Sequence, residues 1–236
     1  IEPAKTQTQP KTEPSTEPTQ QATVTVHVIP SEEPETTPTQ TTQQTTQMSP
    51  ALKELLTKYQ RKVRSYQFLF SKPPENRFLN TYHIKGDKIK IKLYEGNAYK
   101  VGKYYDTVYL DKSKQTATAR CESEKRCSYA GEDYTGKVFE VSYDDFVIET
   151  PIEWIEGITQ AELIGPEVVD GRSATKIKTT QSGKIIELWI DTTYGLPLKK
   201  EITQTGQPVL KYQVNDVIVN HLADSDVMPA FTTDRY

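Results

Sequence analysis

Three histidines, His27, His83 and His221, are the only imidazoles in this 236-residue chain. They lie far apart in sequence, and none has the spacing that sets two metal ligands side by side. Each reads as a solvated or hydrogen-bonded ring. No serine stands in a Gly-x-Ser-x-Gly turn, and no glycine-rich phosphate loop follows a strand. Glu140, Tyr143, Asp144 and Asp145 gather acid in one stretch, which reads as a solvated turn before it reads as a cation site. Cys121 and Cys127 bracket the polar run CESEKRC. Their closeness and even number point to a disulfide rather than to two free thiols, and no histidine or second cysteine pair completes a metal set. Such a bridge implies an oxidising compartment, or the cytosol of a hyperthermophile. The chain is therefore expected to be no enzyme, with no catalytic residue, no cofactor and no metal.

The charge balance narrows the partners. With 29 Lys and Arg against 32 Asp and Glu, the chain lacks the basic excess that phosphate binding needs, so nucleic acid is not expected. No apolar run approaches the ~18 residues of a membrane-crossing helix. The sequence opens at Ile1 with no signal peptide, which reads as a processed product exported to the cell surface or beyond. Plentiful Lys, Glu, Ile and Tyr with two Met and two Cys lean toward a thermophilic source.

Two regions differ in kind. Residues 1–49 are rich in Thr, Pro and Gln, with two lysines against six glutamates and no aromatic residue. That composition buries too little to offset backbone entropy, so an extended tail is expected. It is also the composition of an O-glycosylated stalk, with sugar on threonine. Inside it lies QATVTVHVIP, where Val24, Val26 and Val28 alternate with polar residues. Burying three valines contributes at most ~5–9 kcal/mol. Ordering the seven residues 23–29 costs about 7–14 kcal/mol. Such a strand must borrow a preformed sheet edge, in its own chain or in a neighbouring copy.

Residues 50–236 are expected to form one globular α+β domain. Ser49 and Pro50 open a helix whose Leu52, Leu55, Leu56, Tyr59 and Val63 share one face. Lys58, Arg61, Lys62 and Arg64 suit its C-terminal end. The period then changes to two. Strands are predicted at 66–70, 78–85, 88–94, 106–111, 115–121, 161–169, 173–180, 184–191, 197–203 and 209–220. Lys88, Lys90 and Lys92 alternate with Ile89, Ile91 and Leu93, a pattern that suits one wet face and also a guarded edge strand. A short inserted helix is expected over ETPIEWIEGI, with Thr150 and Glu153 as a capping box and Gly157 as its end. Tyr94, Tyr99, Tyr104, Tyr105 and Tyr109 crowd one region. They read as cross-strand pairs, or else as a face for sugar or a neighbouring subunit.

Near the end, ELWIDTTYGLPLKKEI (187–202) followed by YQVNDVIVN (212–220) places Trp189, Asp191, Gly195, Leu196, Pro197, Lys199, Tyr212 and Asn220 in a recognisable order. This resembles the lipoprotein-carrier superfamily, periplasmic chaperones that sort lipoproteins to the outer membrane. The layout covers roughly residues 50–220, and the specific part is Trp189, Asp191, Gly195 and Pro197. The resemblance implies a half-barrel of antiparallel strands with helices in its mouth, around an apolar cavity that in the carriers holds acyl chains. Two functions are expected from the sequence. One is a secreted or cell-surface subunit that polymerises head to tail with copies of itself, each donating strand 23–29 to the next. The alternative is a stalked extracytoplasmic carrier for lipid or another hydrophobic ligand.

Overall fold

The computed structural model describes residues 48–100 and 103–229. The strand expected at 23–29, with Val24, Val26 and Val28, lies outside them, as do His27 and the threonines of the tail.

Helix α1 (Pro50–Lys62) begins where its caps place it, with Leu52 N donating to Ser49 Oγ at 3.3 Å. Leu52 and Leu56 are buried, and Leu55, Tyr59 and Val63 pack on the same core. The remainder is strand: β1 (Tyr66–Ser71), β2 (Thr81–Lys85), β3 (Lys88–Lys100), β4 (Lys103–Asp111) and β5 (Thr116–Arg120). A one-turn helix α2 (Glu124–Cys127) and three short strands follow: β6 (Ser128–Tyr129), β7 (Glu132–Asp133) and β8 (Val138–Glu140). Then come β9 (Glu162–Val169), β10 (Arg172–Gln181), β11 (Lys184–Asp191), β12 (Pro197–Thr203) and β13 (Leu210–Val219).

Eleven of these strands form one curved antiparallel sheet in the order β8-β5-β4-β3-β2-β1-β13-β12-β11-β10-β9. The inner face carries Phe68, Ile89, Ile91, Val108, Ile177, Leu188, Leu198 and Val214, all essentially without solvent contact. Helix α1 packs on that face.

The carrier-like motif has a definite mechanical role. Asp191, at the end of β11, accepts from the backbone of Thr193 and Tyr194 with one oxygen and from Arg172 Nε with the other, at 2.7–2.8 Å. This closes a turn in which Gly195 sits at φ +72°. The turn lies against α1 so closely that a Cβ on Gly195 would stand 2.8 Å from Leu55 O and 2.9 Å from Tyr59 N. Lys58 Nζ donates back to Thr192 O at 2.9 Å. Asn220 clamps the other end of the helix: its side chain accepts from Arg64 N at 2.7 Å and donates to Lys62 O at 2.7 Å. Trp189 stands on the outer face, donating to Glu167 at 2.6 Å, with Lys199 and Lys176 over its ring at 4.1 and 4.5 Å. Pro197 opens β12 opposite Ile190.

Two expectations need correction. β3 is no edge strand: it runs between β2 and β4. Its lysine row faces out, where Lys88 and Lys90 pair with Asp111 and Glu122. The insert at 150–157 forms a single 3-10 turn, Ile152–Ile155, instead of an α-helix. Half of the capping box is present, with Glu153 accepting from Thr150 N at 2.7 Å; the Thr150 hydroxyl donates to Glu153 as well, and the reciprocal bond from a helical amide to Thr150 is missing.

Gly195→Ala combines a left-handed backbone with a contact no Cβ tolerates. It should destabilise the domain by roughly 2–3 kcal/mol, read as a lower denaturant midpoint with an unchanged m-value; an unchanged midpoint refutes the helix-seat role. A second outcome concerns His83 on the outer face of β2. Burial, then the charges of Lys92 and Lys90, lowers its pKa from 6.5 to about 4. The unfolded chain therefore binds the proton first. This contribution to stability is complete above pH 6.5 and is lost as pH falls toward 4, by roughly 3 kcal/mol. Urea titrations across that window should show the loss, and His83→Gln should flatten it.

Candidate functional site

The inner face is aromatic along its middle strands. Tyr66, Phe68 and Phe70 follow one another on β1, and Tyr82 of β2 stacks on Phe68 with centroids 5.5 Å apart. Tyr105 of β4 and Tyr212 of β13 continue the surface to either side. The connection between β8 and β9, residues 141–161, lies on it: Phe146 meets Tyr105 at 6.3 Å, and Trp154 meets Phe70 at 6.1 Å and Tyr212 at 6.3 Å. Lys200 of β12 is buried beside Trp154 and Tyr212, and its ammonium reaches Glu149 Oε2 at 2.5 Å. Trp154 is 4% exposed, yet its Nε1 has no hydrogen-bond partner. An unpaired buried donor costs ~1–3 kcal/mol.

Between this connection and the last turn of α1 the inner face opens as a cleft of about 290 Å³. The helix contributes Tyr59, the residues just past its end Val63 and Arg64, the sheet Tyr66 and Ile84, and the connection Thr150, Ile152, Glu153 and Glu156. Its floor is apolar and its rim charged. The Tyr66 hydroxyl is pushed well above its ordinary pKa by burial, while its bonds to the Thr150 side chain and Ile152 backbone work the other way. Burial also acts to raise the Glu153 carboxyl, but Lys112 and Thr150 outweigh it and hold the group below its ordinary value. Glu153 thus stays ionised at the rim and pairs with Lys112. The volume sits at the low end of the ~300–1,000 Å³ of small-molecule pockets. The enclosed apolar cavity implied by the carrier resemblance is instead occupied by the chain's own residues, among them Phe146, Ile148, Trp154 and Ile155.

The residues singled out in the sequence do not converge here. Trp189 is on the outer face, and Asp191, Gly195 and Pro197 build the turn under α1. Cys121 and Cys127 form the disulfide, and with Tyr104 and Tyr134 they make a small separate core. Asp106 beside it, 4% exposed, accepts from Glu122 N and Ser123 N at 2.9 Å and so fixes the loop. Among the described residues, Asp106, Cys121 and Cys127 are the one set with converging metal-ligand atoms; a disulfide offers no thiolate. The tyrosine group divides: Tyr105 is core, Tyr109 donates to Glu122 on the outer face, Tyr94 is exposed, and the side chain of Tyr99 is outside the described set. What sequence reading passed over is Tyr59, Tyr66, Ile84 and Ile152. Tyr59 appears there as part of the apolar helix face and the other three only as members of predicted elements, and a rim position carries the same signal as a core one.

The family described as a predicted periplasmic protein (DUF2092) matches residues 107–215. No curated protein matches the chain. Among solved structures, MucB is 15% identical with a TM-score of 0.45, over 75% of this chain and 61% of that one. The chain thus spans about three-fifths of MucB. An uncharacterized conserved protein from Thermus thermophilus is 11% identical with a TM-score of 0.45, over 77% and 94% of the two chains. The LolA superfamily protein NE2245 from Nitrosomonas europaea is 13% identical with a TM-score of 0.28, over 75% and 96%. The family's periplasmic description and the closed disulfide agree on an extracytoplasmic location.

Proposed function

We propose that the chain is an extracytoplasmic binding module that takes a hydrophobic or amphipathic ligand on the inner face of its sheet, entering at the cleft beside α1. The observation that carries this is the cleft itself. Its apolar floor of Tyr66 and Ile84 leads toward the aromatic row of Phe68, Phe70 and Tyr82, while its rim is charged. An apolar body with a polar end matches that division. The carrier resemblance around Trp189 and Gly195 points the same way. The polymer reading rests on strand 23–29, which lies outside the described residues, and no other observation supports it.

Titration with the fluorescent amphiphile 8-anilinonaphthalene-1-sulfonate, with lysophospholipid as competitor, tests the proposal. Saturable one-to-one binding displaced by the competitor is expected. Ile152→Asp places a charge on the cleft wall and should weaken binding by about tenfold or more. No saturable binding by the unmodified chain, or equal binding by the variant, refutes it.

A further inference from the structure

β8 and β9 follow one another in sequence but lie at opposite edges of the eleven-stranded order. Residues 141–161 must therefore pass from one edge to the other, and they do so across the inner face. Tyr143, Phe146, Ile148, Ile152, Trp154 and Ile155 point into the core as they go. How this segment is attached is informative. Its backbone hydrogen bonds are local turns: Val147 N to Tyr143 O at 3.0 Å, Trp154 N to Pro151 O at 3.2 Å and Glu156 N to Glu153 O at 3.3 Å. Among the described residues, none joins its backbone to the backbone of a strand. Side chains tie it down instead. Glu149 pairs with Lys200, Glu153 pairs with Lys112, Thr150 bonds the Tyr66 hydroxyl, and Gln160 O accepts from Thr179 Oγ1 at 2.7 Å.

We infer that residues 141–161 are a displaceable strap, latched by the Glu149–Lys200 and Glu153–Lys112 pairs, which lifts as a unit to join the cleft to the aromatic trough beneath. This rests on the binding reading above and supplies its regulation. Lifting the strap breaks no ladder of the sheet, because both neighbouring strands are already edges. The unpaired Trp154 Nε1 regains a partner in water, which lowers the cost of opening. The cleft lies on the seam between strap and α1, with Thr150, Ile152, Glu153 and Glu156 on its strap side. Opening therefore enlarges the entrance and bares Phe70, Tyr105 and Tyr212 together.

Hydrogen exchange read by mass spectrometry, on the full chain and on Glu149→Gln/Glu153→Gln, tests this. In the unmodified chain the amides of 141–161 should exchange before those of β1 and β13. The double variant should speed the strap amides about tenfold and leave the sheet unchanged. Adding 8-anilinonaphthalene-1-sulfonate should change exchange within 141–161, and the probe should bind the variant faster. Strap amides that exchange only with the sheet, in both chains, overturn the strap. Probe binding that leaves 141–161 unaltered overturns it as the entrance. Early strap opening in a chain that never binds the probe leaves the device standing and refutes the binding reading instead.

Discussion

Consecutive strands at opposite edges of one sheet impose a crossing, and much of this structure follows from it. The chain between β8 and β9 traverses the inner face, where its apolar side chains join the core. A helix pair or a ladder of strands would satisfy such a segment internally. Here a single 3-10 turn and isolated local bonds do so, leaving apolar side chains as the main adhesive. The crossing segment thus fills the place that the carrier fold implies as a cavity, and it stays separable from the sheet it covers. Buried backbone without a strand partner is tolerated because its polar groups find turns, Tyr66 and Thr179.

The helix on the same face is held by geometry that admits little substitution. Gly195 brings the β11–β12 turn within contact of the α1 backbone, and Asn220, itself at φ +62°, receives the helix end and the start of β1 together. These residues are distant in sequence but fix α1 at its middle and at its C-terminus. One wall of the cleft is therefore rigid. The other wall is the crossing segment, tied by side chains. A site with one fixed and one releasable wall follows from the fold's connectivity.

Much of this frame is legible in the sequence, for a physical reason. Alternation along β1–β5 and β9–β13 reports one wet and one dry face, and the Ser49–Pro50 start of α1 is a local signal. β8 is not legible, because three residues cannot establish a period. The lysines of β3 suggest an edge, yet the strand is internal. Alternating charge reports that one face is solvated and says nothing about the number of lateral neighbours. The helix expected at 150–157 tightens to one 3-10 turn. Glu153, which was to serve the cap, is shared with Lys112, and Trp154 and Ile155 are drawn to the sheet. The cleft is the least legible part. Tyr59, Tyr66, Ile84 and Ile152 become a site through pairing order, which is a long-range property.

The filled trough decides how strongly any ligand is held. A site occupied by its own chain binds only in the fraction of molecules in which that chain is displaced, so the observed Kd is the intrinsic one divided by that fraction. The apolar contacts of Phe146 and Trp154 with Tyr105, Phe70 and Tyr212 stabilise the closed state. The unpaired indole N–H and the burial of the Lys200 ammonium oppose it. Were the crossing segment purely apolar and fully hydrogen-bonded, it would be a permanent core, and the cleft a dimple. One buried ammonium that must be desolvated and one unsatisfied donor, placed where the inner face would otherwise be oil-like, keep closure shallow enough for a ligand of modest apolar area to compete. Affinity in this fold is then set as much by what the sheet gives up as by what the ligand brings.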